Sequence, residues 1–223
     1  MRAMILAAGR GERMRPLTDE TPKPLLKVGG KSLIQRHIEA LAAAGVREVV
    51  INLAWKGAII REALGEGAAF GVRIEYSDEG DAALETGGGV FKALPLLGAE
   101  PFLVVSGDIW TDFNFATCVE RLAANDVAHF VLAPNPSFHE KGDFCLDGGR
   151  LTDHGGSRHT YANIGVFRPA FFADCTPGRF PLGPLMYDWI RKGQVSGELY
   201  EGRWRNVGTP MQLAELDREL QFA

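Results

Sequence analysis

Apolar and polar positions along this chain follow two alternating periods. Runs rich in Val, Ile, Leu and Phe, with few polar interruptions, occur at "AMILAA" (3–8), "EVVINLA" (48–54), "RIEYS" (73–77), "PFLVVSGD" (101–108) and "AHFVLAPN" (128–135). Runs of this length predict buried strands. Between them the period lengthens. In "KSLIQRHIEALAAAG" (31–45), Leu33, Ile34, His37, Ile38, Leu41 and Ala42 form a helical stripe that Gly45 ends. "GAIIREALG" (57–65) and "FATCVERLAAN" (115–125) repeat the pattern and predict two more helices. Strand and helix in alternation imply an α/β, Rossmann-like mixed sheet, mainly parallel, flanked by helices on both faces, with ligands at the carboxyl ends of the strands.

After about residue 136 the texture changes. "GDFCLDGGRLTD" (142–153) predicts a hairpin with Gly148 and Gly149 at its tip, and "YANIGVFRPAFF" (161–172) a strand followed by a turn at Pro169. "GPLMYDWIRKG" (183–193) reads as a short amphipathic helix and "GELYEGRWRNVGT" (197–209) as a last strand pair. "PMQLAELDRELQF" (210–222) reads as a terminal helix starting on Pro210, with Thr209 as its cap. No linker rich in Pro, Ser and Gly divides the chain. Residues 136–223 are therefore expected to extend the sheet of residues 1–135 within one domain spanning 1–223.

Composition excludes several partners. The net charge of -4 comes from 24 basic and 28 acidic side chains, with no dense basic run to track a nucleic-acid backbone. The first apolar stretch is too short for a signal-peptide core or a membrane span, so a cytoplasmic protein is expected. Cys118, Cys145 and Cys175 are widely spaced, without a C-x-x-C pair, and are expected to be free thiols.

The candidate chemistry lies directly behind the first strand, in "ILAAGRGERMRPLTDETPKPL" (5–25). Gly9 and Gly11 let backbone N–H groups approach an anion where a side chain would intervene. The stretch lacks the G-x-x-x-x-G-K-[ST] of a P-loop, and Met14 stands where a dinucleotide fingerprint needs its third glycine. What remains is a loop of Ala8, Gly9, Gly11 and Glu12 with two added cations, Arg13 and Lys23. Pro22 and Pro24 fix the backbone on either side of Lys23.

That combination resembles the sugar-nucleotidyltransferase family, whose signature L-A-A-G-x-G-x-R is followed by P-K-P-L on the first β-α connection. The likeness continues through "LETGGGV" (84–90), "SGDIWTD" (106–112) and "RWRNVGTP" (203–210). Within the family, "RGERMRPLT", "LETGGGVFKALPLLG" and "VSGELYEGRWRNVGTP" look most like the bacterial N-acetylmuramate-1-phosphate uridylyltransferases of cell-wall recycling. The resemblance implies the family's nucleotide-diphospho-sugar transferase fold, here without the carboxy-terminal β-helix domain of longer relatives. It also implies attack of a sugar-1-phosphate oxygen on the α-phosphorus of a nucleoside triphosphate, UTP being favoured, with pyrophosphate leaving.

The roles it implies follow residue by residue. Arg13, Lys23 and Asp108 would be catalytic. Asp108 ends its strand at the carboxyl edge and would hold Mg2+, joined by Asn206, which stands where the family usually has an aspartate. Glu79, Glu85, Thr86 and Gly87 would form the base pocket. Ser106, Lys141, Asp143, Asn163 and Gly165 would serve the sugar phosphate, and Trp110 and Trp204 could pack on a sugar face, although core packing is the commoner role. The muramate enzymes tend to carry asparagine where Ser106 stands. Guanylyl transfer to mannose 1-phosphate and thymidylyl or uridylyl transfer to glucose 1-phosphate share the same loop and stay open. So does a non-catalytic sugar-nucleotide sensor, which Asn206 alone favours. A glycosyltransferase is disfavoured because the sequence has no D-x-D. A monomer or small homo-oligomer is expected.

Overall fold

The computed structural model describes residues 1–221; Phe222, the last residue of the predicted terminal helix, lies outside the described residues. Strand β1 (Arg2–Leu6) leads through the glycine loop into α1 (Leu17–Glu20), and β2 (Lys27–Val28) pairs with β3 (Lys31–Ser32) as a ribbon. There follow α2 (Leu33–Ala43), β4 (Glu48–Leu53), α3 (Gly57–Leu64), β5 (Arg73–Asp78), α4 (Glu85–Leu97), β6 (Phe102–Ser106), β7 (Ile109–Thr111) and β8 (Ala128–Ala133). The chain continues through β9 (Phe144–Asp147), β10 (Arg150–Thr152), β11 (Arg158–Phe167), α5 (Leu182–Arg191), β12 (Val195–Leu199), β13 (Trp204–Asn206) and α6 (Pro210–Gln221). Among the described residues no helix is long and apolar enough to cross a membrane.

The strands predicted from apolar runs join a nine-stranded sheet ordered β5-β4-β1-β6-β11-β8-β12-β10-β9, with β4, β1, β6 and β8 inside it and β5, the most polar of them, at its edge. On the amino-terminal side β5, β4, β1 and β6 are all parallel, so their carboxyl ends open on one edge. Beyond β6 the directions mix: β11 is antiparallel to both β6 and β8, and β12 returns parallel to β8. The start of β11 also pairs with β9, which closes β11, β8, β12, β10 and β9 into a ring.

Both faces of the sheet are covered, as continuous apolar strands require. Ile5, Ile51 and Val105 face Ile34, Ile38 and Leu41 of α2, while Met4, Val50 and Val104 face Val90 and Ala93 of α4. A third cluster lies behind the glycine loop, where Met14, Leu26, Leu33 and Trp110 meet Val207 and Leu216. Trp110 is thus a core residue. Helix α6 is tied there by Asp217, which accepts the Gly29 N–H at 2.7 Å.

Local signals account for most elements. Gly148 and Gly149, at φ 52° and 82°, turn the predicted hairpin between β9 and β10. Thr209 caps α6, its Oγ1 accepting from Gln212 N–H at 3.3 Å. Cys118, Cys145 and Cys175 are free. Two expectations fail. Residues 115–125 form short 3-10 turns, Phe115–Thr117 and Val119–Arg121, because Asn114 takes the Ala116 N–H and the Thr117 hydroxyl in competition with a helical ladder. The segment 197–209 is not a strand pair: β12 joins β8, whereas β13 pairs with β7. Between them Asp112 takes the Tyr200 hydroxyl and the Arg203 N–H, which draws the chain across to β7.

Candidate active site

The glycine loop leaves β1 at the open edge of the parallel strands. Gly11 has φ 69°, and a β-carbon there would come within 3.0 Å of Thr18 and 3.1 Å of Lys23, so both the backbone and the neighbours require glycine. Thr18 closes the turn by donating its hydroxyl to the Gly11 carbonyl at 2.8 Å. The entry to the loop is pinned by Asn52, whose Oδ1 accepts the Ala7 N–H at 2.7 Å and whose Nδ2 donates to Glu79 at 2.7 Å. The other Glu79 oxygen accepts from Leu84 N–H at 2.6 Å. Glu79 thereby joins the end of β5 to the start of α4 with both oxygens engaged.

Lys23 is only 8% exposed, and its Nζ donates to Asp108 at 2.7 Å. Asp108 follows Gly107, where a β-carbon would come within 2.8 Å of the Leu6 carbonyl; the close approach of β6 to β1 carries Asp108 to the mouth of the loop. Pairing of β7 with β13 brings in the last segment: Asn206 stands opposite Ile109, and the Val207 N–H donates to the Asp108 carbonyl at 2.9 Å. Below them His37 lies 2.9 Å from the Ile109 carbonyl through Nε2, and burial holds its pKa down to about 4. His37 is therefore neutral at pH 7 and donates from Nε2, bracing the strand that Asp108 precedes. Arg13 is exposed on a 3-10 turn, with its guanidinium beside Gly208.

Two cavities adjoin here. The larger, about 690 Å³, takes Ala8, Gly9, Gly11, Glu12 and Arg13 from the loop, Glu79, Glu85 and Thr86 from the opposite wall, and Lys23, Ser106 and Asp108 from its floor. The second, about 390 Å³, shares Leu6 and Thr86 with the first and contains Asp143, Asn163, Trp204 and Asn206. Asn163 reaches it from a bulge in β11, where the register with β8 shifts and the backbone takes φ 58°. Asp143 accepts from His139 at 3.0 Å and from the Tyr161 N–H at 2.8 Å. Burial pushes the Tyr161 hydroxyl well above its usual range. Trp204 also packs in the core and donates to the Ala162 carbonyl at 2.9 Å.

Three expected site residues line neither cavity. Gly87 is buried in α4, where a β-carbon would come within 2.5 Å of the Phe180 ring; Gly88 and Gly89 are similarly pressed against Gly178 and Glu79. The glycine triplet is a packing seam between helix and loop, not backbone presented to a base. Gly165 is buried within the sheet, between Val104 and Phe130. Lys141 is exposed within the turn that the Gly142 N–H and the His139 carbonyl close, and it is His139 that faces the cavity. The sequence reading also missed Asn52, Arg10, His139 and Tyr187. Two of these carry a signal: Asn52 is an amide inside an apolar run, and Arg10 is a cation between the two loop glycines.

Residues 2–140 match the nucleotidyl transferase family. The chain is 47% identical over 222 residues to the N-acetylmuramate alpha-1-phosphate uridylyltransferase of Neisseria meningitidis serogroup B, covering 96% of each chain. To the protein of the same name from Caulobacter vibrioides it is 37% identical over 236 residues, covering 99% of this chain and 96% of that one. A solved structure from Bacillus anthracis, described as a glucose-1-phosphate thymidylyltransferase in complex with sucrose, superposes with TM-score 0.88 at 20% identity, over 100% of this chain and 96% of the other. That last likeness shows a shared fold. With a glycine loop, a Lys23–Asp108 pair and an adjoining second cavity at one sheet edge, the chain belongs to the nucleotidyl transferase family of sugar-1-phosphate nucleotidyltransferases.

Proposed function

We propose that this protein transfers the uridylyl group of UTP to N-acetylmuramate 1-phosphate, in the cytoplasm, as a step of peptidoglycan recycling. The observation that carries the reading is the junction of the two cavities at Leu6 and Thr86, with Asp108 on one side and Asn206 on the other. A triphosphate in the larger cavity and a sugar phosphate in the smaller would meet at this junction. The near-full-length likeness to two muramate enzymes favours that pair of substrates.

The nucleophile is a phosphate oxygen that is already anionic, so no general base is needed. Its attack forms a P–O bond at the α-phosphorus and breaks the bond to the β-phosphate, and the electron pair leaves on pyrophosphate. The difficulty is the meeting of negative charges, which fixed cations and dipoles relieve. Backbone N–H groups of residues 9–12 and the side chains of Arg13 and Lys23 would hold the phosphates, with Lys23 exchanging its bond to Asp108 for one to a phosphoryl oxygen.

The Asp108 carboxylate and the Asn206 carboxamide are hard oxygen donors on facing segments, a set that suits magnesium. Among the described residues no three His, Cys, Asp or Glu side chains converge, so a cation here would take most of its oxygens from the phosphates. When bound it would offset charge on the α-phosphoryl group and the departing pyrophosphate. Asn163, Asp143 and Thr160 offer amide, carboxylate and hydroxyl groups to the sugar above an aromatic floor.

The test is pyrophosphate release from UTP, dTTP, GTP and ATP, each paired with muramate-, mannose- and glucose-type 1-phosphates. The expected outcome is greatest turnover with UTP and N-acetylmuramate 1-phosphate. A preference for GTP with mannose 1-phosphate would replace these substrates, and silence with every pair at high magnesium would favour a sensor.

A further inference from the structure

Among the described residues, the buried side-chain nitrogen without a hydrogen-bond partner is Nη1 of Arg10. Arg10 stands between Gly9 and Gly11 and lines the larger cavity beside Arg13 and Lys23. No carboxylate claims it closely: Asp19 is 3.6 Å from Nη2 and is engaged at 2.9 Å by Arg15. Instead the guanidinium lies over the face of Trp55, with Cζ 3.7 Å from the ring centroid. The indole is itself fixed, because Trp55 Nε1 donates to the Thr18 carbonyl at 3.2 Å and the next residue, Lys56, donates to the Glu20 carbonyl at 3.1 Å. The turn after β4 is thus laced to α1, which follows the glycine loop, and gives Arg10 a shelf.

This arrangement suits a cation waiting for an anion. A buried N–H without a partner is unfavourable, and stacking at a partly exposed site offsets little of that. A third of the Arg10 side chain is open, so its guanidinium fork can take two phosphate oxygens from the cavity in charge-assisted bonds, and a turn of the fork on the Trp55 face would bring Nη1 to one of them. Stacking on Trp55 also holds a long side chain in place before the ligand arrives, which lowers the ordering cost of binding. Lys23 is paired with Asp108 at the reacting end and Arg13 lies beside Gly208, so Arg10 is placed for phosphates further along the chain of three.

We propose that Arg10 is a third phosphate-binding cation, which holds the β- and γ-phosphates that leave as pyrophosphate, and that Trp55 is its positioning residue. The inference rests on the loop being a triphosphate cradle and is independent of base and sugar.

The test is calorimetric titration with inorganic pyrophosphate in the presence of magnesium, with UMP as the comparison ligand. Arg10→Gln should raise the Kd for pyrophosphate about tenfold and leave that for UMP unchanged; Arg10→Lys, which keeps charge but loses the fork, should raise it about fivefold. Trp55→Leu should raise it about threefold, and Trp55→Phe should restore most of that. In the double variant Arg10→Gln/Trp55→Leu the Trp55 effect should vanish, a coupling that a merely structural tryptophan would not show. Thermal melting establishes that each variant is folded, and Arg10→Lys carries the test if Arg10→Gln is not. Pyrophosphate affinity within twofold of the unmodified protein in the folded Arg10 variants would overturn the proposal; additive effects in the double variant would overturn the role of Trp55. Failure of the unmodified protein to bind pyrophosphate would overturn the cradle and Arg10 together. Arg10-dependent binding without uridylyl transfer in the substrate panel would overturn only the substrate reading.

Discussion

The two cavities that meet at Leu6 and Thr86 are built by different means. The larger is made of backbone and charge: its glycine backbone and three of its cations, Arg10, Arg13 and Lys23, come from one stretch, residues 8–23, with Asp108 set opposite by the parallel strands. The smaller is made of side chains brought from β11, α5, β13 and the loop around His139. A cradle of the first kind has little freedom, since a β-carbon at Gly11 meets the side chains of Thr18 and Lys23 and one at Gly107 meets the Leu6 carbonyl. A cavity of the second kind can be relined one side chain at a time. The difference predicts that substitutions in the cradle stop the reaction, while those in the side-chain cavity change which sugar is used.

The largest effect is expected at the cradle floor. Lys23→Ala, Arg13→Ala and Asp108→Asn should each lower kcat with loss of about 2–4 kcal/mol of transition-state stabilisation, by a similar factor for every sugar 1-phosphate accepted. Circular dichroism should show an unchanged fold. Losses that depend on the sugar would undo the division of labour between the cavities.

Beneath the same floor, His37 makes stability depend on pH. Its folded pKa, about 4, lies below the usual 6.5 because burial disfavours the charged ring. As pH falls below about 6.5 the unfolded chain takes up a proton that the folded protein refuses. Stability is therefore full above that value and is lost toward pH 4, by roughly 3 kcal/mol at most. Urea unfolding at pH 7 and pH 4.5 should show this slope, and His37→Gln should flatten it. An unchanged slope in the variant would assign the dependence to other groups.

On the sugar side the expected effects are smaller and selective. Asn163→Gly removes the carboxamide without placing a β-carbon at φ 58°, and kcat/KM for the sugar 1-phosphate should fall about tenfold while KM for UTP holds. A matching rise in KM for UTP would show that the cavities do not divide the substrates. The least effect is expected at the boundary. Asn206→Asp adds a charged oxygen facing the Asp108 segment and should lower the magnesium concentration for half-maximal activity severalfold. No change would remove Asn206 from the metal site.

The same contrast governs what the sequence made legible. The glycine loop, Lys23 and Asp108 are readable because chemistry and chain coincide there: glycine, arginine and lysine stand within a few residues of a strand end. Strands and main helices are readable because burial on both faces enforces an apolar run. Lys141 does not fulfil its expected role because composition marks a polar loop but not which of its side chains points inward; His139, two residues earlier, does. The triplet Gly87–Gly89 misled because glycine that admits a ligand and glycine that admits a neighbouring chain look alike in sequence, and here Phe180, Gly178 and Glu79 are the neighbours. The stacking of Arg10 on Trp55 is not legible, because it joins residues 45 positions apart.

Helix α6 has a consequence for how the molecule comes into being. Leu216 and Val207 complete the apolar cluster around Met14, Leu26 and Leu33, and Asp217 fastens Gly29. On the ribosome the glycine loop emerges well before β13 and α6, which form its backing. Until β13 and α6 are made, Met14, Leu33 and Trp110 lack the partners that cover them, and the loop has no firm rear wall. The nascent chain should therefore gain triphosphate affinity late and abruptly, when residues 204–221 dock, rather than gradually as the parallel strands accumulate.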